Sequence, residues 1–379
     1  MTDQDTKTEA WVARADNELN LETVTYLPPG PKEVLVSILA ASVCHSDVRA
    51  AQGTFHLKPP LILGHEGSGY VQAVGSDVTY VTPGDAVVLA YSSCGECRRC
   101  QAGKAAYCQD LFGLNFSGRR EDGVNPVRDV KGDEVNGLFF GQSSMARVAL
   151  VRERSCVKIP TPCPKDELKL FAALGCGVQT GAGAITNIAK PPEGSRIVVF
   201  GGGAVGLSAV AAARLTKPEC LVLVDNSSVK LDMIPKELLG GVTVLNSSTL
   251  THEDLVSKLK SLTSDGRGMD YALDCAGNEA VATAAYECLD KMGMIMNIGG
   301  SATAQPKYAV ERNLVNGLTI RGTHQGDSVP RDMIPKLIEM WREGKFPFDK
   351  LLTPFRFEEL KHAMAEMHAG RTIKAILYS

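Results

Sequence analysis

The sequence predicts a two-domain α/β protein, a β-rich unit followed by a doubly wound, mainly parallel sheet. Three observations carry that prediction. Up to Pro160 the chain reads as many short apolar runs punctuated by Gly and Pro, the pattern of an antiparallel β-rich domain. From Arg196 onward, β-branched strands alternate with helical stretches, as in a parallel sheet with helices on its faces. A length of 379 residues fits two domains with sizeable cores.

Taken in order, residues 8–40 alternate apolar and polar positions, and 34–40 is a clear strand after the Pro28-Pro29-Gly30-Pro31 turn. Cys44 opens a short helix over 44–51, and strands follow at 70–74 and 85–90. Residues 111–138, polar and rich in Gly and charge, read as an ordered surface loop. Phe139-Phe140-Gly141-Gln142 begins another strand region, which runs through 148–151 and stops at Lys158-Ile159-Pro160. A helix over 168–174 leads into Gly175-Cys176-Gly177-Val178-Gln179-Thr180-Gly181-Ala182-Gly183, whose small residues let backbones approach each other or a ligand. A second helix, 182–189, ends at Pro191-Pro192. Beyond it come strands at 196–200, 220–224, 242–245, 269–275, 293–298 and 318–320, with a helix at 207–215. Amphipathic helices at 331–343 and 357–369 precede a last strand at 371–378. That tail is expected to pack back on the first domain, because a closing strand needs an open sheet.

Composition narrows the function. Hydrophobic content of 44% with 22% charged residues is ordinary for a globular protein. A net charge of -3 argues against a nucleic-acid or anionic-membrane partner. No window approaches about eighteen uninterrupted apolar residues, so no spanning helix is expected. Residues 1–10, polar with acids interspersed, are unlike a secretory leader, which makes a cytoplasmic, reducing compartment the expectation. Eleven cysteines then need an account without disulfides. Cys156, Cys163, Cys220, Cys275 and Cys288 lack ligand spacing and read as ordinary thiols.

Three motifs carry chemistry. Cys94, Cys97, Cys100 and Cys108 form a closed local set, the arrangement of a tetrahedral zinc held by four thiolates. Such a site has no open position, so it holds a lobe together; the alternative, a redox Cys-x-x-Cys, usually comes as one pair. Between Val43 and Gly67, Cys44-His45-Ser46-Asp47 and Gly64-His65-Glu66-Gly67 offer a thiolate, two imidazoles and two carboxylates. Zinc prefers those ligand types, although a Cys and a His at this spacing also occur by chance. Finally, Gly201-Gly202-Gly203-Ala204-Val205-Gly206 lies between a strand and a helix, and the next strand ends in Asp225. Gly201 permits the tight turn, Gly203 lets backbone approach a pyrophosphate, and Gly206 seats the helix, whose first residues Ala204 and Val205 face the phosphate charge. Asp225 would accept from the ribose hydroxyls and repel a 2′-phosphate, favouring NAD over NADP, with Lys230 close enough to cap the ribose. The plain alternative is a structural βα turn.

Assembled, these motifs resemble those of the zinc-dependent alcohol dehydrogenases of the medium-chain dehydrogenase/reductase superfamily, over essentially the whole chain. Phe139-Phe140-Gly141-Gln142-Ser143-Ser144 and residues 175–183 are most similar to the aryl- (benzyl-) alcohol dehydrogenase branch. The resemblance implies a GroES-like catalytic domain with two zinc sites at 1–178 and 324–379, and a Rossmann NAD-binding domain at 179–323. It implies a catalytic zinc held by Cys44, His65 and Cys176, with Glu66 behind the metal as a transient ligand and Asp47 fixing the imidazole. Ser46 would take the alcohol proton, a role compatible with a helix-start cap. His45 and Lys374 would meet the pyrophosphate, with a surface role open for His45, and Thr180 would touch the nicotinamide. Phe55, Ala90 and Phe139 would border a roomy, partly aromatic pocket for a bulky or aryl alcohol or its carbonyl.

Arg49 stands where many members of the family carry an outer proton-relay histidine. A guanidinium cannot shuttle a proton near neutrality, so release would run through ribose hydroxyls and water or by another path. Arg49 would otherwise attract an anionic substrate or lie solvated on the helix face. The 111–138 loop is of the kind seen in dimeric relatives, which implies a homodimer. A second reading is a biosynthetic reductase of an enone or iminium, with NADH or NADPH; a third is a binding or sensor protein without turnover, against which the intact ligand set argues.

Overall fold

The computed structural model describes residues 4–15, 18–301 and 303–379, so the start at residues 1–10 lies partly outside it. Two sheets build the β-rich part. A four-stranded sheet runs in the order Leu61–Ile62, Thr6–Ala13, Leu19–Tyr26, Val127–Asp129. A seven-stranded sheet runs Leu352–Arg356, Lys374–Tyr378, Glu33–Ser42, Gly67–Val74, Ala86–Leu89, Cys156–Lys158, and Val148–Arg152 also pairs with Glu33–Ser42. The C-terminal strand closes this sheet as expected: Ile376 pairs antiparallel with Ser42, and Tyr378 with Ala40.

The third sheet is six-stranded and parallel throughout. Its order is Thr243–Asn246, Cys220–Asp225, Arg196–Phe200, Met269–Asp274, Leu289–Asn297, Thr319–Gly322. Taken as strands three, two, one, four, five and six, this is the Rossmann order, and its ligand crevice opens where the winding reverses, beside Arg196–Phe200. Val198, Val199, Val222 and Leu223 are fully buried, because helices cover both faces of a parallel sheet. One core joins the two halves, from Val88 and Ala90 through Phe171, Leu174 and Val178 to Ile197, Val199 and Leu207.

Three expectations are corrected. Residues 139–142 begin no strand; Phe139–Gly141 is a 3₁₀ turn. Leu138, Phe140, Gly141 and Ser143 all have φ between 52° and 70°, a left-handed backbone that no strand can use. The 111–138 loop contains the helix Leu111–Phe116 and the strand Val127–Asp129. Asn115 anchors that helix: it accepts from Ser92 N at 2.8 Å and donates to Ser92 O at 3.0 Å. The helix expected over 182–189 starts at Gly177 and widens into a π-helical turn over Ala184–Ala189. Among the described residues no single helix is long and apolar enough to cross a membrane.

Candidate catalytic metal centre

Cys44 sits where the strand Glu33–Ser42 passes into the helix His45–Ala51. Its extended backbone makes it the residue that caps the helix, and fully buried Asp47, in the first turn, reaches back to the Cys44 amide. Asp47 Oδ2 accepts from Cys44 N at 2.9 Å; Oδ1 accepts from Gly64 N at 3.0 Å and lies 3.0 Å from His65 Nδ1. One carboxylate thus pins two segments and turns His65 Nε2 toward the thiols. Cys176 comes from a break between two helical runs that bend by 65°. Behind it, Glu66 accepts from Gly177 N at 3.2 Å.

The ligand atoms of Cys44, His65, Glu66 and Cys176 all lie within 4.8 Å of one another. His65 Nε2 is buried and has no hydrogen-bond partner among the described residues. An orphaned imidazole nitrogen between two thiols is costly unless a cation fills the gap, and soft sulfur with imidazole suits zinc. The local electrostatics fit the same group. The hydrogen bond from Cys176, with the charges of His65 and Lys374, holds the Cys44 thiol well below its ordinary value despite burial. Burial presses the His65 imidazole toward neutrality, and the charges of Asp47 and Cys44 outweigh it.

The second set is local, as its spacing requires. The Sγ atoms of Cys94, Cys97, Cys100 and Cys108 also lie within 4.8 Å of one another. Gly95, at φ 81°, makes the tight turn, and backbone N–H groups point at sulfur: Cys97 N at 3.3 Å from Cys94 Sγ, Gln109 N at 3.5 Å from Cys97 Sγ. The amides of Gln109 and Cys100 pull the Cys97 thiol down to about 6. These residues fit a closed four-thiolate zinc site.

At the crevice of the parallel sheet, Gly201 has φ 104°, and a Cβ on Gly206 would collide with the Gly201 carbonyl. A Cβ on Gly203 would meet nothing within 4 Å, so the approach to the helix Ala204–Arg214 is open. Asp225 is nearly buried, accepting from Gly202 N at 2.7 Å and Ser227 N at 2.8 Å. That places its carboxylate beside the glycine loop, where a ribose would lie.

The alcohol dehydrogenase GroES-like domain family matches residues 30–161, and the zinc-binding dehydrogenase family matches residues 204–343. The chain belongs to the zinc-binding alcohol dehydrogenases. It is 36% identical over 360 residues to geraniol dehydrogenase of Castellaniella defragrans, covering 95% of this chain and 94% of that one. It is 34% identical over 377 residues to S-(hydroxymethyl)glutathione dehydrogenase of Komagataella pastoris, covering 97% and 96%. The crystal structure of benzyl alcohol dehydrogenase from Acinetobacter calcoaceticus superposes with a TM-score of 0.91 at 35% identity, covering 98% of this chain and 99% of that one.

Within the dehydrogenase, the remaining sequence-assigned residues are placed unevenly. Lys374 lies at the back of the ligand set, paired with Glu66. It is 2% exposed, and its ammonium donates to Glu66 Oε1 at 2.8 Å and the Val43 carbonyl at 3.0 Å, with Glu66 Oε2 at 2.6 Å. Strand pairing carries it beneath the metal ligands, where only a buried carboxylate can compensate it. His45 is exposed on the first turn of its helix and Ser46 half-buried beside it. Thr180 Oγ1 donates to the Cys176 carbonyl at 2.9 Å. Lys230 lies against Gly370, where an added Cβ would meet its Cγ at 3.2 Å. Arg49 sits over the Phe55 ring, 5.5 Å from its centroid.

Of the three pocket residues, two come together: the Phe55 and Phe139 rings are 5.7 Å apart, with Phe139 5.5 Å from His65. Ala90 is fully buried in the other core, and its carbonyl accepts from Gln142 at 3.1 Å. Phe140, which stacks on His65 at 4.4 Å, and Phe116, 4.8 Å from Phe140, were missed. Phe140 carried a signal, being adjacent to Phe139; Phe116 was hidden in the misread loop.

Proposed function

We propose that this chain is an NAD-dependent zinc alcohol dehydrogenase that interconverts bulky or aromatic alcohols with their aldehydes or ketones. The observation that carries it is the convergence of Cys44, His65 and Cys176 beside a wall of Phe55, Phe116, Phe139 and Phe140. Those three residues, with Glu66 behind them, would hold a zinc ion supplying a Lewis acid toward the alcohol oxygen, and the glycine loop would hold NAD as the hydride acceptor.

The protein residues then have distinct tasks. Ser46, half-buried two residues from Cys44, takes the proton from the substrate oxygen. Asp47 keeps His65 in one tautomer and one orientation. Buried Phe139 and Phe140 exclude water from His65, and half-buried Phe55 and Phe116 offer ring surface to an aryl or allylic group. The Arg49 guanidinium offers donors and no acceptor, so the proton would leave Ser46 through ribose hydroxyls and water or by another path. The amides after Gly203, with His45, hold the pyrophosphate, and Asp225 disfavours a 2′-phosphate.

Residues 1–178 with 324–379 serve as the metal-bearing domain and 179–323 as the nucleotide-binding one; the pairing of Lys374–Tyr378 with Glu33–Ser42 supports the C-terminal return. Six of the eleven cysteines fall in the two ligand sets, which fits a reducing, cytoplasmic setting. A homodimer through the edge strand Thr319–Gly322 fits its exposure, together with the exposed Val310, Leu314 and Val315 nearby. An NAD-reduction screen over benzylic, allylic and long-chain alcohols tests the reading. Turnover of benzylic or allylic alcohols by protein holding about two zinc per chain is expected. Activity confined to enone or iminium reduction with NADPH would overturn it.

A further inference from the structure

The four-cysteine lobe has no chemistry of its own, yet it reaches toward the other metal centre. Lys104, Ala106 and Tyr107 lie between Cys100 and Cys108. The Tyr107 hydroxyl donates to Asp327 Oδ1 at 2.6 Å, Lys104 Nζ stands 3.7 Å from Asp327 Oδ2, and the Ala106 carbonyl lies 3.1 Å from His324 Nδ1. Just ahead of the lobe, buried Tyr91 donates to the Ser328 carbonyl at 2.6 Å. Thr323 Oγ1 and the Arg321 guanidinium complete the grip on Asp327, at 2.9 and 2.7 Å.

The segment so held has an unusual backbone. Gln325, Gly326 and Asp327 have φ of 54°, 62° and 52°, three left-handed residues in a row of which two carry side chains. Such a run persists only where its surroundings over-determine it. On the far side those surroundings are the helix that follows Cys176. Asn187 Nδ2 donates to the Gly326 carbonyl at 3.0 Å, and a Cβ on Gly326 would meet the Thr180 carbonyl at 2.5 Å. The turn aims one side chain at the metal ligands. Gln325 is buried, its Nε2 lying 3.5 Å from Cys176 Sγ and its Oε1 3.4 Å from Gln179 Nε2.

The geometry points to Gln325 as a positioning residue for Cys176, held in place by the four-cysteine lobe through Asp327. This rests on Cys176 being a ligand of the catalytic metal, as proposed above. An N–H donated to a ligating thiolate draws charge away from sulfur and fixes its direction. The sulfur then gives less charge to the metal, which stays a stronger Lewis acid toward the alcohol oxygen. The lobe thus tunes a centre that it does not touch.

The test uses the full chain with cobalt(II) in the catalytic site and zinc in the four-cysteine site, and reads the near-ultraviolet thiolate-to-cobalt band. Gln325→Leu should move that band to lower energy. It should also lower kcat roughly 3- to 10-fold with little change in KM for the alcohol, the size of one lost hydrogen bond. Tyr107→Phe removes only the hydroxyl that grips Asp327 and should move the band the same way by a smaller amount. Metal content and thermal unfolding show whether each variant keeps both metals and its fold; if Gln325→Leu does not, Gln325→Met replaces it. A wild-type band in the Gln325 variant overturns the positioning role. A band that moves there but not in Tyr107→Phe overturns the link to the lobe. A wild-type protein that binds cobalt without any such band instead sinks the assignment of Cys44 and Cys176 as ligands, an outcome separate from the other two.

Discussion

The Lys374 ammonium has almost no access to water, and the charges of Glu66 and Cys44 outweigh burial to keep it protonated. Removing one half of such a pair leaves the other charge buried and alone, which costs about 3–5 kcal/mol. Lys374→Met should therefore destabilise the protein by about that amount in urea unfolding, while Glu66→Gln with Lys374→Met should recover much of it. Equal stability of Lys374→Met and the parent would mean that the pair carries no weight. The same lysine marks where sequence reading ends at this scale. Gly201, Gly206 and Asp225 were legible because a βα turn needs only neighbouring residues. What Lys374 faces is decided by strand pairing across the chain, since its partner at Val43 is 331 residues away.

At the scale of elements, the strands of the parallel sheet were read correctly, whereas residues 111–138, 139–142 and 182–189 were not. The helix Leu111–Phe116 has six residues, too few for a period, and a single side chain, Asn115, docks it. Its loss from the sequence reading hid Phe112 and Phe116, whose rings are 5.6 Å apart at the aromatic wall. The edge strand Thr319–Gly322 was found, but its consequence needed coordinates. It pairs only with Leu289–Asn297 among the described residues, and all four of its residues are exposed. The adjacent helix Val310–Asn316 leaves Leu314 79% exposed. An uncovered edge beside apolar side chains is the surface on which the proposed homodimer would pair. If the proposed homodimer pairs through this edge, Leu314→Asp should shift the protein from dimer to monomer in sedimentation, with the melting temperature falling as the interface is lost. An unchanged sedimentation coefficient at dimer size would place the contact elsewhere.

On the scale of the whole molecule, the two ligand sets divide differently between local sequence and global fold. The four-cysteine set spans residues 94–108, so its thiolates meet wherever that stretch folds, and spacing alone announced it. The catalytic set spans residues 44–176 and exists only once the seven-stranded sheet and the bent helix pair are assembled; nothing but family resemblance could have joined Cys176 to Cys44. The physical difference predicts opposite phenotypes. A metal in the local set would substitute for a core that a short polar stretch cannot build, so binding energy there would be folding energy. Cys100→Ala should lower the melting temperature by about 10 °C or more and yield protein with one zinc per chain or aggregated protein. In the assembled set the scaffold stands on buried apolar residues and the Asp47 and Lys374 contacts, which a missing thiol leaves in place. Cys176→Ala should therefore unfold within a few degrees of the parent, lose one zinc per chain and lose turnover by at least about a thousandfold. If instead the two variants melt alike, the contrast between a metal that builds the fold and a metal that the fold builds does not hold for this chain.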